Sequence, residues 1–358
     1  MANMGLHNVS KKFGPHLAVD DLTLEIADGE FFVLLGPTGA GKTTTLRLIA
    51  GLEKPDSGHV TMGGEDSSEW SVAERDVALV FQYYSLYPRY TVAENMAFPL
   101  KSRMHDYTAE QIERRVNDAA NLLRIDHLLD RKTDKLSGGE MQRVSIGRAI
   151  VREPNIFLMD EPLSNLDAKL RESLRSELKD LQMKLGATFL FVTHDQIEAM
   201  SMGDRIGILN EGRLMQAGTP HEIYNNPGDT FVASFVGSPA MNLVDAEVAN
   251  GSLAISGGTV SVNLREEGKA RLAGHQGTFT LGIRAEDVEI TAGGDAAARV
   301  HHVENHGVEK IVTLRAGDSL IKATAPAITT LKLDEEVQFS LNQARLHGFD
   351  AGSGVRLT

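Results

Sequence analysis

The chain has 358 residues, of which 42% are hydrophobic and 24% charged, no cysteine, and a formal net charge of −13. That length suits two or three domains with core enough to need no disulfide or structural metal. The lack of cysteine excludes disulfides, thiolate zinc sites and cysteine nucleophiles, and the acidic balance argues against nucleic acid as a partner, since duplex binding needs a basic face.

The N-terminal stretch MANMGLHNVSKKFG has no apolar core of a secretory signal. The run FFVLLG, residues 31–36, is far shorter than the roughly 20 residues that span a bilayer. A soluble chain that docks onto a membrane protein is therefore expected. Up to about residue 235, short apolar runs alternate with helical patterns. FFVLL (31–35), VALVF (77–81), IFLMD (156–160), FLFVTH (189–194) and RIGIL (205–209) read as buried parallel strands. Between them, Thr108 and Gln111 have capping-box spacing. Leu170, Leu174, Leu178, Leu181 and Leu185 share one helix face that stops at Gly186. Strands alternating with helices predict an α/β domain.

After GSPAMNLV (237–244) the pattern becomes short alternating runs: GTFTLGI, KIVTLRAG and EEVQFSL, separated by glycine- and aspartate-bearing turns. This predicts an all-β module, a small barrel, joined by a hinge between Pro227 and Pro239. His302 and His306 would share one face of a strand in HHVENH, but no second cluster completes a metal set, and a surface strand is the expectation.

GPTGAGKTT, residues 36–44, follows a strand, opens a helix and matches G-x-x-x-x-G-K-[ST] in full. Gly36, Pro37, Thr38, Gly39, Ala40 and Gly41 form the loop whose backbone N–H groups turn onto phosphate oxygens. Lys42 reaches the β- and γ-phosphates, the Thr43 hydroxyl ligates Mg²⁺, and Thr44 continues the helix start, whose dipole favours an anion. Asp160 ends a strand where a second Mg²⁺ ligand is needed, direct or through water. Glu161 follows at once and is placed to polarise an attacking water. His194 and Gln82 also end strands, the edge at which open α/β sheets place ligands. His194 is read as a γ-phosphate contact, and Gln82 as a group that reaches Mg²⁺ or the water. A second helix start, LSGGE, offers Ser137 as cap with Gly138, Gly139 and Glu140 behind it. Because the P-loop cradles the nucleotide from one side, this terminus could close over the γ-phosphate only from the other, which calls for a second protomer.

LSGGEMQRV, SNLD (164–167), the histidine after FVT and the glutamine after LVF, together and in this order, resemble the ATP-binding-cassette ATPases. ALVFQYYSLYPRYTVAENMAFPL, MDEPLSNLDAKLR, GTPHEIYNNPGDTFVASFVGSPAMN and LGIRAEDVEI are similar to the ATPase subunits of bacterial carbohydrate importers of the maltose and sn-glycerol-3-phosphate type. The resemblance covers nearly the whole chain. It implies an ATPase cassette over residues 1–235 with a helical subdomain over about 88–152. A regulatory and dimerising OB-like barrel of the type called TOBE would occupy 236–358. It further implies a head-to-tail homodimer holding two ATPs with Mg²⁺, with Ser137 and Gly139 on the other chain's γ-phosphate, Asp167 crossing the seam, and Phe13 stacking on adenine where relatives often carry Tyr or Trp. Tyr83 and Arg89 depart from the commonest wording of their segment, which faces the membrane partner. Two permease subunits would insert short helices beside the Gln82 loop, for which Tyr84, Leu86 and Tyr87 suit a socket. An extracytoplasmic solute-binding protein would act indirectly, and the chain would sit on the cytoplasmic face of the bacterial inner membrane. The implied solute is a sugar, polyol or sugar phosphate, with a polyamine, iron or oxyanion importer as the alternative. Soluble cassettes of translation or repair usually carry two cassettes or a coiled-coil insertion, which are not seen here. A non-hydrolytic binder conflicts with Glu161 and His194.

Overall fold

A computed structural model describes residues 3–102, 106–255, 257–273 and 277–357, so the first two residues of the N-terminal stretch lie outside it. The chain divides into two compact units, Met1–Pro220 and His221–Thr358.

The first unit opens with strands β1 (Met4–Phe13), β2 (His16–Ile26) and β3 (Phe31–Leu35), followed by helix α1 (Lys42–Ala50). Strands β4 (Ser57–Met62), β5 (Glu65–Asp66) and β6 (Val77–Val80) come next. A helical stretch holds α2 (Val92–Ala97), α3 (Ala109–Leu122) and α4 (Gly138–Ile150). The chain then alternates through β7 (Ile156–Asp160), α5 (Ala168–Leu185), β8 (Thr188–Thr193), α6 (Gln196–Met202), β9 (Arg205–Asn210) and β10 (Arg213–Gly218).

The five apolar runs become five parallel strands. They form one sheet in the order β10-β9-β3-β8-β7-β6, with β10 antiparallel at its edge. Every residue of β3 and β8 is buried, as expected of strands covered on both faces. Phe81, the last residue of the run VALVF, falls beyond β6 and is exposed. A second, antiparallel sheet, β2-β1-β4-β5, was not evident in the sequence. Its Leu6, Val19, Leu22 and Val60 share a core with Phe32 and Leu34 of β3 and with Leu46 and Ile49 of α1. Helix α1 is thereby held from both sheets, which fixes the loop in front of it.

Capping boxes start α2 at Thr91, α3 at Thr108 and α4 at Ser137. In α3 the Gln111 N–H donates to the Thr108 hydroxyl over 3.2 Å, and the Thr108 N–H donates to Gln111 Oε1 over 2.8 Å. Helix α5 buries Leu174, Leu178 and Leu181 and stops at Gly186 in the left-handed conformation, while Leu170 and Leu185 are only half-buried.

The second unit begins with the short helices α7 (Pro220–Asn225) and α8 (Thr230–Phe235), then β11 (Asn242–Ala249), β12 (Ser252–Ile255) and β13 (Val260–Asn263). Helix α9 (Glu266–Arg271) precedes β14 (Thr278–Ile283), β15 (Val288–Ile290), β16 (Ala296–Asn305), β17 (Glu309–Ala316), β18 (Ser319–Pro326), β19 (Glu336–Leu341) and β20 (His347–Asp350). Two five-stranded antiparallel sheets, β13-β12-β11-β14-β20 and β15-β19-β16-β17-β18, face one core that includes Leu281, Val300, Leu314 and Phe339. This is the all-β near-barrel that the alternation predicted. Buried Arg284 ties α7 and α8 to it, donating to the carbonyls of Tyr224, Ala233 and Val236. His301 and His302 are exposed on β16, whereas His306 lies past the strand's end, 3.7 Å from Glu304 Oε2. The predicted sharing of one strand face by His302 and His306 therefore does not hold.

Candidate functional site

The loop between β3 and α1 turns sharply because two glycines let backbone pack on backbone. A Cβ on Gly36 would lie 2.3 Å from the Leu209 carbonyl oxygen. One on Gly41, at φ 99°, would lie 2.3 Å from that of Ala18. Gly41 caps α1 without a side-chain bond, so the free N–H groups of the first turn and the positive end of the helix are left for an anion.

A cleft of about 530 Å³ opens on this loop. It is lined by Phe13, His16, Ala18, Thr38, Gly39, Gly41, Lys42, Thr43, Thr44, Gln82, Glu161 and His194. The Lys42 ammonium is buried. It donates to the carbonyls of Gly36 and Pro37, each over 2.9 Å, and lies 3.7 Å from Glu161 Oε1. Burial draws Lys42 below its ordinary pKa, against the pull of Glu161 and Asp160. Thr43 donates its hydroxyl to Asp160 Oδ1 over 3.0 Å. Burial pushes the Asp160 carboxyl above the ordinary range, against that hydrogen bond.

Glu161 sits at φ 45°, a conformation that non-glycine residues rarely adopt. Its N–H is held by the Val192 carbonyl of β8 at 3.0 Å. The kink turns Glu161 away from the strand line of Asp160, and its Oε2 meets His194 Nδ1 at 3.0 Å. Strain of this kind gathers at functional positions. Gln82 donates to Ser164 Oγ over 3.3 Å, and its carbonyl accepts from Asn165 Nδ2 over 2.8 Å. Phe13 stands 44% exposed where the β1–β2 hairpin turns, with the Lys11 ammonium 5.5 Å from its ring centre.

Ser137, Gly138, Gly139, Glu140 and Asp167 do not line this cleft. Ser137 and Glu140 close a capping box on α4, with the Ser137 N–H donating to Glu140 Oε2 over 2.7 Å. The Ser137 N–H and hydroxyl hold the Glu140 carboxyl below its ordinary pKa. Asp167 caps α5, accepting from the Leu170 N–H over 3.0 Å. Gly139 also has a packing reason that sequence reading missed, since a Cβ there would meet Leu170 Cδ2 at 2.4 Å. His16, Ala18 and Ser164 were missed as well. The first two line the cleft from across the hairpin, and Ser164 holds Gln82. Only their closeness to Phe13 and Asp167 in sequence hinted at them.

The donor set fits a nucleotide with a hard divalent cation. One hydroxyl and one carboxylate touch each other at the helix start. Mg²⁺ takes one or two such protein ligands and fills its shell with phosphate and water. Among the described residues no three His, Cys, Asp or Glu side chains form a cage that would dictate another metal.

Comparisons with known proteins identify the family. The ABC transporter family matches residues 19–164, the MalK OB fold domain 237–288 and the TOBE domain 281–349. The chain is 47% identical, over 100% of both chains, to the sn-glycerol-3-phosphate import ATP-binding protein UgpC of Rhizobium meliloti (strain 1021). It is 44% identical, over 99% of both, to the trehalose/maltose import ATP-binding protein MalK of Thermococcus litoralis. Among solved structures, it resembles the dimeric post-hydrolysis ATP-binding cassette MJ0796 bound to ADP and Pi at 33% identity and a TM-score of 0.55. That match covers 61% of this chain and 98% of the other. The Clostridium perfringens protein cbiO1, part of the ABC transporter complex cbiONQ, matches at 26% identity and a TM-score of 0.58, over 62% and 89% of the two chains. The chain belongs to the ABC transporter family, as an ATP-binding ATPase subunit of its import branch.

Proposed function

We propose that this chain hydrolyses ATP at the Lys42–Glu161 cleft to drive uptake of a carbohydrate-class solute through a membrane permease. The single observation that carries the chemistry is the convergence of Lys42, at 3.7 Å, and His194, at 3.0 Å, on the two carboxylate oxygens of Glu161. The solute class rests on the full-length likeness to glycerol-phosphate and maltose import proteins.

Lys42 holds the β- and γ-phosphates once its ammonium leaves the Gly36 and Pro37 carbonyls, and the backbone N–H groups of Gly39, Gly41, Thr43 and Thr44 supply donors around them. Thr43, Asp160 and Gln82 would hold Mg²⁺, which when bound would neutralise charge on the phosphate oxygens. Glu161 accepts the proton of the attacking water. His194, oriented by Glu161, contacts the γ-phosphate. Phe13 stacks on the adenine from the exposed hairpin turn.

Ser137, Gly138, Gly139 and Glu140 lie outside the cleft of their own chain, and this supports their action on the nucleotide of a second copy, with Asp167 at the seam. The catalytic division lies within residues 1–235 and its compact unit ends at Pro220, with a helical part over about 88–152, and the β-module of residues 236–358 serves regulation and dimerisation. Two permease subunits dock beside the Gln82 loop. There Tyr83 is 74% exposed and Tyr87 packs against Phe98 with ring centres 4.4 Å apart and planes tilted by 43°, an aromatic surface suited to a short helix. An extracytoplasmic binding protein delivers the solute to those subunits. No described helix is long and apolar enough to cross a membrane. The likeness to import ATP-binding proteins supports a position on the cytoplasmic face of the bacterial inner membrane, held by the permease. The test is to copurify the intact complex, reconstitute it in vesicles and ask which solutes stimulate its ATPase. Stimulation by a sugar, polyol or sugar phosphate is expected. Stimulation by a polyamine, iron complex or inorganic oxyanion alone contradicts the solute class.

A further inference from the structure

Helix α5 carries a half-buried guanidinium that the chemistry above does not use. The Arg171 guanidinium donates to the Ser164 carbonyl over 3.4 Å, to the Leu166 carbonyl over 3.1 Å and to Asp195 Oδ2 over 3.4 Å. Its Nε lies 3.9 Å from Glu198 Oε1. Glu198 is 3% exposed, and its other oxygen accepts the Thr193 hydroxyl at 2.5 Å. That hydroxyl in turn accepts the Asp195 N–H over 3.0 Å. One guanidinium therefore spans two segments. The first, Ser164–Leu166, holds Gln82 through Ser164 and Asn165. The second, Thr193–Asp195, carries His194 between the two residues that the network grips. Both segments also touch Glu161, through its carbonyl, which accepts the Ser164 hydroxyl at 2.9 Å, and through the His194 contact.

We infer that Arg171, seated on Glu198, is a positioning residue that sets Gln82 and His194 together against Glu161. The inference rests on the proposed roles of those three residues. A planar fork with five donors suits the task, because its bonds fix the relative placement of two segments at once. Lysine has one flexible point charge and reaches only part of the set. Arg171 itself does not line the cleft, so its effect is expected in kcat rather than in nucleotide affinity.

The test measures kcat and KM for Mg-ATP on the full chain carrying Arg171→Met, Arg171→Lys or Glu198→Gln, beside Glu161→Gln as a reference. A misplacement of about an ångström in a reacting group costs on the order of 100-fold. Arg171→Met is expected to lower kcat by about 10- to 100-fold with KM within about twofold of wild type, and Arg171→Lys to recover part of it. A purely structural role would instead lower the melting temperature with kcat of the folded fraction unchanged, and that outcome overturns the inference. So does a KM that rises in step with the loss of kcat. If Arg171→Met does not fold, Glu198→Gln decides. It keeps the Thr193 hydrogen bond while removing the charge that seats Arg171, and an unaltered kcat contradicts the proposal. A Glu161→Gln chain that turns over normally breaks the site reading itself. A dead Glu161→Gln chain beside a fully active Arg171→Met chain breaks only this inference.

Discussion

Asp160 and Glu161 are neighbours in sequence with opposite environments. Asp160 ends its strand hydrogen-bonded to Thr43, and burial keeps its carboxyl pKa raised. A raised carboxylate pKa means that the folded chain binds the proton more tightly than the unfolded one. Above that pKa the buried charge is a cost to stability, and the cost disappears as pH falls through it. Asp160→Asn keeps the acceptor for Thr43 and removes the charge. We expect its nucleotide-free melting temperature at pH 7.5 to rise, by about 2 °C, while Mg-dependent turnover is lost. The two chains should converge in stability as pH falls through the raised Asp160 pKa. A melting temperature that falls at pH 7.5 would contradict the burial argument. Glu161→Gln preserves size and the contact to His194 but cannot accept a proton. Loss of a positioned base costs about 10²- to 10⁴-fold. ATP should therefore persist in a closed dimer, visible by size exclusion. Lys42→Ala removes the fixed cation from the loop and should lose most ATP affinity, read by isothermal titration. The P-loop, Asp160 and Glu161 were legible because contiguous residues carry that chemistry. Ser164 and Arg171 were not, because Gln82 lies 82 residues from Ser164 and Asp195 lies 24 residues from Arg171, and only the fold unites them.

At the scale of elements, the parallel sheet was legible strand by strand because strands covered on both faces read as unbroken apolar runs. The antiparallel sheet was not. Irregular register between Leu6 and Val9, and again up to Lys12, breaks the two-residue alternation of β1 that would have announced it. Leu170 was read as part of the buried face of α5, yet it also marks the place where α5 closes on α4. Gly139→Ala tests that contact. The added methyl overlaps the branched Leu170 side chain, 2.4 Å from Cδ2 and 3.2 Å from Cγ, so a loss of about 1–3 kcal/mol is expected in chemical denaturation of the nucleotide-free chain. An unchanged midpoint would show that Leu170 rotates away freely. The glycines behind Ser137 thus serve helix packing within the chain as well as the close approach proposed for a second nucleotide.

For the molecule as a whole, the second unit supplies none of the cleft residues. Its boundary was less legible than its texture. Residues 221–235 read as the tail of the first domain, but Arg284 fastens the carbonyls of Tyr224, Ala233 and Val236 to the β-module, and Ala233 packs on Met241 and Phe349. A chain ending at Pro220 is therefore expected to bind ATP as tightly as the full chain and to dimerise less well between turnovers. Failure of that folded fragment to bind ATP would place part of the nucleotide site beyond residue 220. The central claim, that a nucleotide is held by the P-loop of one chain and capped by the Ser137 helix of another, is tested most directly by mixing two defective chains. One carries Ser137→Arg with Glu161→Gln and keeps its P-loop, while the other carries Lys42→Ala and keeps its Ser137 helix. Only one of the two sites in a mixed dimer then pairs an intact loop with an intact helix. Each chain alone should form no ATP-dependent dimer, and the mixture should trap one ATP per dimer, counted by radiolabelled nucleotide after size exclusion. If the Ser137→Arg chain instead binds no ATP as a monomer, or dimerises alone with two ATPs trapped, the helix does not act across two chains and the account is contradicted.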